Sequence, residues 1–311
     1  MVFHNSDDSY RGVEPRDPHI AGSGYDQRPG PTELRDGLYY RSDIGETPDQ
    51  LAARLLDKNW PASVVDFQYW TDSAWLAEHG TYPAVERFST KLGEEFKEFA
   101  DEIVSAEEGS KSISRDRAVE ECGDVLWCAT ALASCLHADV DSGLKNSLFR
   151  YTMGVQHINA RRWPVKPIWH DKAGALATKY SMLSFEDIDE LIDGGFEPLP
   201  SPMMTLDESD RDDTFAHLQM LFAHCSVLTK DADEQFGRPN QGVEREITES
   251  GFEVKARESG VDVANIYLEL AFLVHQAGSR LSEAMRTNIV KLTKRVNEQT
   301  LDKESGRPRS D

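Results

Sequence analysis

Along residues 91–103, KLGEEFKEFADEI, apolar side chains recur at steps of three and four: Leu92, Phe96, Phe99 and Ile103. At about 100° of rotation per residue they form one stripe, so the segment is predicted to be an amphipathic helix. The same period runs through RDRAVEECGDVLWCATALASCLHA, where Ala118, Val125, Ala129, Leu132 and Leu136 mark a long, mostly buried helix. Upstream, TPDQLAARLLDKNW turns helical with Thr47 as N-cap and Pro48 at the first helical position, and SVVDFQYWTDSAWLAEH forms a second helix ended by Gly80. A further helix follows near SGLKNSLFRYTMGV. After Asp212 the helical pattern resumes in DDTFAHLQMLFAHCSVLTKDADEQF, ESGVDVANIYLELAFLVHQAG and RLSEAMRTNIVKLTKRV. No β-rich segment competes with these, so the expected class is all-α, with strands at most incidental.

The breaks in this pattern divide the chain. Residues 1–45 are rich in Gly, Pro, Asp and Arg without apolar period and are expected to form an extended arm. Residues 46–162 form a first helical block. Residues 163–212 carry most of the prolines around one short helix, SFEDIDELI, and are predicted to be a linker or a strap over the surface. A second helical block spans 213–300, and 301–311 is a polar tail. Shifting the chain by 138 residues lays Asp124 on Asp262, Val125 on Val263, Ala133 on Ala271 and His137 on His275; a shift of 141 lays Arg150 on Lys291, Thr152 on Thr293 and Val155 on Val296. Matches in order within matching helices point to a degenerate duplication.

Acids break the wheel of the third helix. Glu94 points well away from the apolar stripe, but Glu95, Glu98 and Glu102 flank it at roughly 60° to 130° from its centre. Such carboxylates stand close to whatever packs on the helix, and burial raises their pKa unless a cation or hydrogen-bond donors compensate. On the next helix Glu121 and Asp124 are three apart and share a face. If the two helices pair antiparallel, Glu95, Glu98, Glu121 and Asp124 converge. Four oxygen ligands suit Mg²⁺, with Mn²⁺ as a substitute. A di-iron or di-manganese bundle would need Glu-x-x-His pairs, which neither helix has.

Composition narrows the partners. The net charge of −21 repels a phosphate backbone and excludes nonspecific nucleic-acid binding, while a bound divalent ion can reverse the field locally for a free nucleotide. With 39% apolar residues and no run of membrane-spanning length, the chain is expected to be soluble. The start, MVFHNSDDSYRGVEPRD, lacks the basic and apolar blocks of a secretory signal, so a cytoplasmic address is expected. Cys122, Cys128, Cys135 and Cys225 have no metal or redox spacing and are expected to be small buried hydrophobes.

EEFKE at 94–98, followed after 22 residues by ECGD at 121–124, resembles the EExxE…ExxD signature of MazG-like nucleoside triphosphate pyrophosphohydrolases. DFQYW, KLGEE and GDVLW are phrased similarly, and the resemblance covers about 60 to 155 well and 213 to 297 weakly. It implies a helical bundle that hydrolyses a (d)NTP to the monophosphate and pyrophosphate with Mg²⁺. By position, Glu95, Glu98, Glu121 and Asp124 become metal ligands, and Glu94 a lesser candidate for orienting water. Attack at a phosphorus shielded by negative charge needs such ions, and one glutamate can serve as general base.

The family's N-x-x-K-x-x-x-R cations map imperfectly onto Lys145, Asn146 and Arg150 and in register onto Asn288, Lys291 and Arg295, with Lys91 a further candidate. A basic helix end favoured by its dipole is the competing explanation. In the second block Ala223, His224 and Val227 stand at the places of Glu94, Glu95 and Glu98, Ser259 at that of Glu121, and Asp262 alone survives. A pseudo-dimer follows, the first half supplying metal ligands, and it leaves open whether the chain pairs again as a homo-oligomer. Gln68 and Trp127, with Phe67, Tyr69, Trp70 and Trp75, are candidates for reading or stacking a base, against the alternative of core packing. His137 and His275 are expected to pack or cap. Two other functions stay open: a regulatory nucleotide-binding protein with little hydrolysis, and a phosphoribosyl-nucleotide pyrophosphohydrolase.

Overall fold

The computed structural model describes residues 34–35, 38–39, 46–75, 82–107, 115–157, 167–196, 213–236 and 249–297. The chain divides into two units, Met1–Gly45 and Glu46–Asp311. In the first, the described residues are two antiparallel strands, β1 (Leu34–Arg35) and β2 (Leu38–Tyr39), with Leu34 opposite Tyr39. In the second they are helical: α1 (Pro48–Leu56), α2 (Val64–Trp75), α3 (Tyr82–Glu107), α4 (Arg115–Cys135), α5 (Val140–His157), α6 (Pro167–Ala177), α7 (Phe185–Asp193), α8 (Asp213–Phe236), α9 (Glu249–Gln276) and α10 (Leu281–Asn297). The all-α expectation holds for this unit. Among the described residues no helix is long and apolar enough to cross a membrane. The predicted helix end at Gly80, the tail 301–311 and most of the arm lie outside the described residues.

Local chemistry sets the helix ends. Thr47 and Gln50 exchange side-chain-to-backbone bonds in a capping box that starts α1, with Pro48 at its first position. At the end of α4 the chain passes through His137 at φ 56°, with Ala138 N donating to Ala133 O and His137 N to Ser134 O. That pattern satisfies the last carbonyls of the helix. Gly278, at φ 75°, ends α9 with the same pair of bonds, from Ser279 N to Val274 O and from Gly278 N to His275 O.

The long helices pair to bury their stripes. α3 and α4 run antiparallel: Glu102 meets Arg117 near one end and the rings of Phe88 and Trp127 meet edge to face towards the other. α8 packs likewise on α9, while α10 lies along α4 and α5 along α9. α4 and α9 bury more apolar residues than any other described helix, and their contact includes a 2.6 Å hydrogen bond between Thr130 and Tyr267, both fully buried. Close approach needs small residues. A Cβ added at Gly123 would lie 2.6 Å from the Ala284 carbonyl of α10, and one at Gly143 of α5 would overlap the Gly260 carbonyl of α9.

Within the predicted linker or surface strap at 163–212, the described residues, 167–196, pack as part of the helical core. This part holds α6, which the proline pattern hid, and α7, and it buries Leu183, Phe185, Ile188, Leu191, Ile192 and Phe196. Backbone bonds Val64 N to Leu183 O and Phe185 N to Ala62 O stitch it to the start of α2. Its acids then fix neighbouring helices. Both carboxylate oxygens of buried Asp189 accept from the free amides of Leu281 and Ser282, capping α10 from a different helix. Glu186 accepts from Ala62 N and pairs with Arg286 of α10. This segment therefore positions α10, and with it the side chains that α10 lays on α4.

One acid of α2 has little compensation. Asp72 Oδ1 is shut off from solvent without a hydrogen-bond partner, and burial pushes the carboxyl up to about 7 against the pull of the Ser134 hydroxyl. A folded-state pKa above the unfolded value means that the folded chain holds a proton the unfolded chain releases, so stability falls as pH rises from about 4 to about 7. Thermal unfolding at pH 5 and pH 8 should differ less in Asp72→Asn than in the wild type; an unchanged difference would remove Asp72 as a source of the slope.

Candidate metal centre

The antiparallel register of α3 and α4 brings Glu95 and Glu98, one turn apart on α3, against Glu121 of α4. Each offers a carboxylate oxygen, and the three lie within 4.8 Å of one another. Glu121 is buried, Glu95 half-buried and Glu98 exposed, so the cluster opens to solvent from one side. Glu95 is paired with Lys91 at 2.8 Å, one turn back on the same helix. Glu102, the third flanking acid, has its cation in Arg117 at 3.1 Å. Glu98 and Glu121 have no side-chain partner among the described residues.

The Glu121 carboxyl is pushed up to about 7 by burial, reinforced by the negative charges of Asp124 and Glu98 and only partly offset by Lys291. A buried carboxyl crowded by like charge, as Glu121 is, is what a hard cation corrects, since its field favours the ionised form. The donor set is all oxygen, with no nitrogen or sulfur ligand among the described residues. Such a set could hold a hard divalent cation.

Asp124, expected as the fourth ligand, is drawn elsewhere. Its Oδ1 accepts from Asn288 Nδ2 at 2.6 Å and its Oδ2 from Lys291 Nζ at 2.5 Å, both side chains coming from α10. Lys291 also reaches Glu120 at 2.8 Å. Burial raises the Asp124 pKa and Lys291 opposes the rise, while Arg295, one turn further along α10, adds its field at both Asp124 and Glu120. Thus Asn288, Lys291 and Arg295 of the second helical block stand at the acids of the first. Glu120 escaped the sequence reading, although its place one turn before Asp124 puts it on the same side of α4.

Other candidates are spent on packing. Gln68 donates to Ala138 O at 2.7 Å and accepts from Val140 N at 3.2 Å, so both ends of its amide bridge the turn between α4 and α5. Trp127, Phe67 and Trp70 are buried, Phe67 stacking with Trp70 and meeting Phe185 edge to face. Tyr69 is half-buried against the core, and the Trp75 side chain lies outside the described residues. Lys145 is tied to Asp141 and to Ser181 O. Asn146 and exposed Arg150 share α5 with it, and α5 packs on α2, α6 and α9 rather than beside the three glutamates. Glu94 is exposed, as its wheel position predicts.

In the second block the corresponding region is a histidine–acid arrangement. His224 Nδ1 lies 3.2 Å from Asp262 Oδ1, and deeper in, His217 Nδ1 lies 2.6 Å from Glu269 Oε2. Cys122, Cys128, Cys135 and Cys225 are free and buried. No family model matches the chain, and neither a curated protein nor a solved structure matches it.

Proposed function

We propose that this chain is a MazG-like, Mg²⁺-dependent nucleotide pyrophosphohydrolase that splits a (d)NTP into the monophosphate and pyrophosphate. The observation that carries the reading is the convergence of Glu95, Glu98 and Glu121 from paired helices, at the positions where the EExxE…ExxD resemblance puts metal ligands. Glu95, Glu98 and Glu121 would hold Mg²⁺, with Asp124 joining them once Lys291 yields. The ion would screen the phosphates and lower the pKa of the attacking water. The chain supplies the rest. Lys91 pairs with Glu95 and orients it, and a glutamate of the cluster takes a proton from water at its carboxylate oxygen. Lys291 and Arg295 offer charge to the phosphates, and Asn288 fixes the orientation of Asp124.

A duplication accompanies this reading, and the contacts favour one offset of 141 residues for both helices of the α4–α5 and α9–α10 pairs, rather than 138 for the first. At that offset His137 answers Gly278, each closing its helix with the same two bonds. Asn288 holding Asp124 answers Ser147, which donates to Asn265. Asp262 then corresponds to Glu121, and Ser259 to Ala118 instead of Glu121. His224, beside Asp262, keeps its correspondence to Glu95. In such a pseudo-dimer each final helix packs on the long helix of the other half, which is how α10 delivers cations to acids of the first.

The test is pyrophosphate release from a panel of NTPs and dNTPs, with a phosphoribosyl nucleotide beside them, with and without Mg²⁺. Metal-dependent release that Glu98→Ala abolishes supports the assignment. Release from no nucleotide, with the metal still bound, would favour the regulatory alternative.

A further inference from the structure

Resting on the metal-centre reading above, we infer that Lys291 is an internal counter-cation that competes with the divalent ion for Asp124, so that metal entry releases the Lys291 ammonium towards the substrate phosphates.

The argument starts from occupancy. Both oxygens of Asp124 are taken by α10: Oδ1 by the Asn288 amide and Oδ2 by the Lys291 ammonium at 2.5 Å. Asn288 is fully buried, so it has little freedom to leave. Lys291 is different. It is only half-buried and has a second anchor in Glu120, whose side chain is 44% exposed against 11% for Asp124. Its long stem can pivot about that outer contact while Asn288 keeps its place. The oxygen facing Lys291 is therefore the one a metal could claim.

Two cations on one carboxylate oxygen repel each other strongly where solvent is partly excluded. A divalent ion at Asp124 Oδ2 therefore requires the ammonium to leave, and the ammonium in place weakens the ion. Glu120 then retains Lys291 at the rim, beside Arg295, where incoming phosphates meet both. The arrangement makes metal binding a precondition for offering the Lys291 charge to the nucleotide. It also gives a role to Glu120, which lies outside the cluster of three glutamates.

The full chain should be titrated with Mn²⁺ alone, without nucleotide, following free Mn²⁺ by electron paramagnetic resonance. Lys291→Met is expected to bind Mn²⁺ about tenfold tighter than the wild type, and Lys291→Arg to restore wild-type affinity. In an Asp124→Asn background Lys291→Met should give less than about a twofold gain, because there is no carboxylate left to compete for. Should Lys291→Met not fold, Lys291→Gln reads the same competition. Equal or weaker binding in the uncharged variants overturns the inference. So does an undiminished gain in the Asp124→Asn background, since a field acting through space needs no Asp124. If the wild type and the uncharged variants all fail to bind Mn²⁺, the metal-centre reading falls and this inference with it. Binding that Glu98→Ala removes, but that the uncharged Lys291 variants leave unaltered, overturns the competition alone.

Discussion

Glu121→Gln is expected to lose Mg²⁺-dependent pyrophosphate release by about a thousandfold while making the metal-free protein more stable at pH 8. The first effect follows from geometry. Glu121 is the buried member of the three-carboxylate cluster, and an amide in its place supplies neither the charge nor the proton acceptor of a glutamate. The second follows from linkage. The Glu121 pKa, pushed up to about 7 by burial and by Asp124 and Glu98, lies above its unfolded value. The folded chain therefore keeps a proton that the unfolded chain loses, and stability drops as pH rises from about 4.5 to about 7. A glutamine cannot carry the charge that causes this drop. Steady-state pyrophosphate release and thermal unfolding in a chelator at pH 8 measure the two sides. An inactive but less stable variant would mean that Glu121 holds the fold together, and its loss of activity would say nothing about a metal. Glu94→Ala, on the exposed side of α3, should cost less than about tenfold in turnover.

Gly143→Ala and Gly93→Ala are expected to change stability in opposite directions, although both place alanine inside a helix. Alanine is favoured over glycine there by about 1 kcal/mol. At Gly93 nothing lies within 4 Å of the added methyl, so the propensity acts alone and the variant gains about that amount. At Gly143 the methyl would overlap the backbone carbonyl of Gly260, and a carbonyl fixed in α9 cannot rotate aside as a side chain could. Overpacking of this kind costs about 3 kcal/mol or more, which outweighs the propensity. Denaturant midpoints of the two variants against the wild type decide the matter. Destabilisation by Gly93→Ala, or none by Gly143→Ala, would contradict the packing described for α3 or for α5 against α9.

The helical class and the acidic face of α3 were legible because both are local. Period fixes a helix, and rotation along it places Glu95 and Glu98 beside the stripe and Glu94 outside it. The pairing of α3 with α4 needed one tertiary assumption, that they run antiparallel, and the register of Glu102 with Arg117 agrees with it. Illegible were features made by residues far apart in the chain. No spacing announces that Asp189 caps α10, that Gln68 bridges the turn after α4, or that Asp124 belongs to Asn288 and Lys291. The proline-rich middle misled for a related reason. Prolines disfavour regular structure at their own positions, but α6 and α7 lie mostly between them and use their apolar residues in the common core.

The bond between Asp124 and Lys291 joins residues 167 positions apart, and the α7 contacts that cap α10 span 92 and 93. A loop of that length closes against a large entropy, and contacts of such separation belong to the slow, late part of a folding reaction. α3 and α4 can form their antiparallel hairpin early, so a folding intermediate would already display its glutamates while lacking the helix that answers Asp124. The contacts at the centre do not themselves depend on a continuous chain through residues 197–212. A chain cut between α7 and α8, in residues 197–212, keeps every contact described at the centre, and two such fragments mixed together have the surfaces to find each other again.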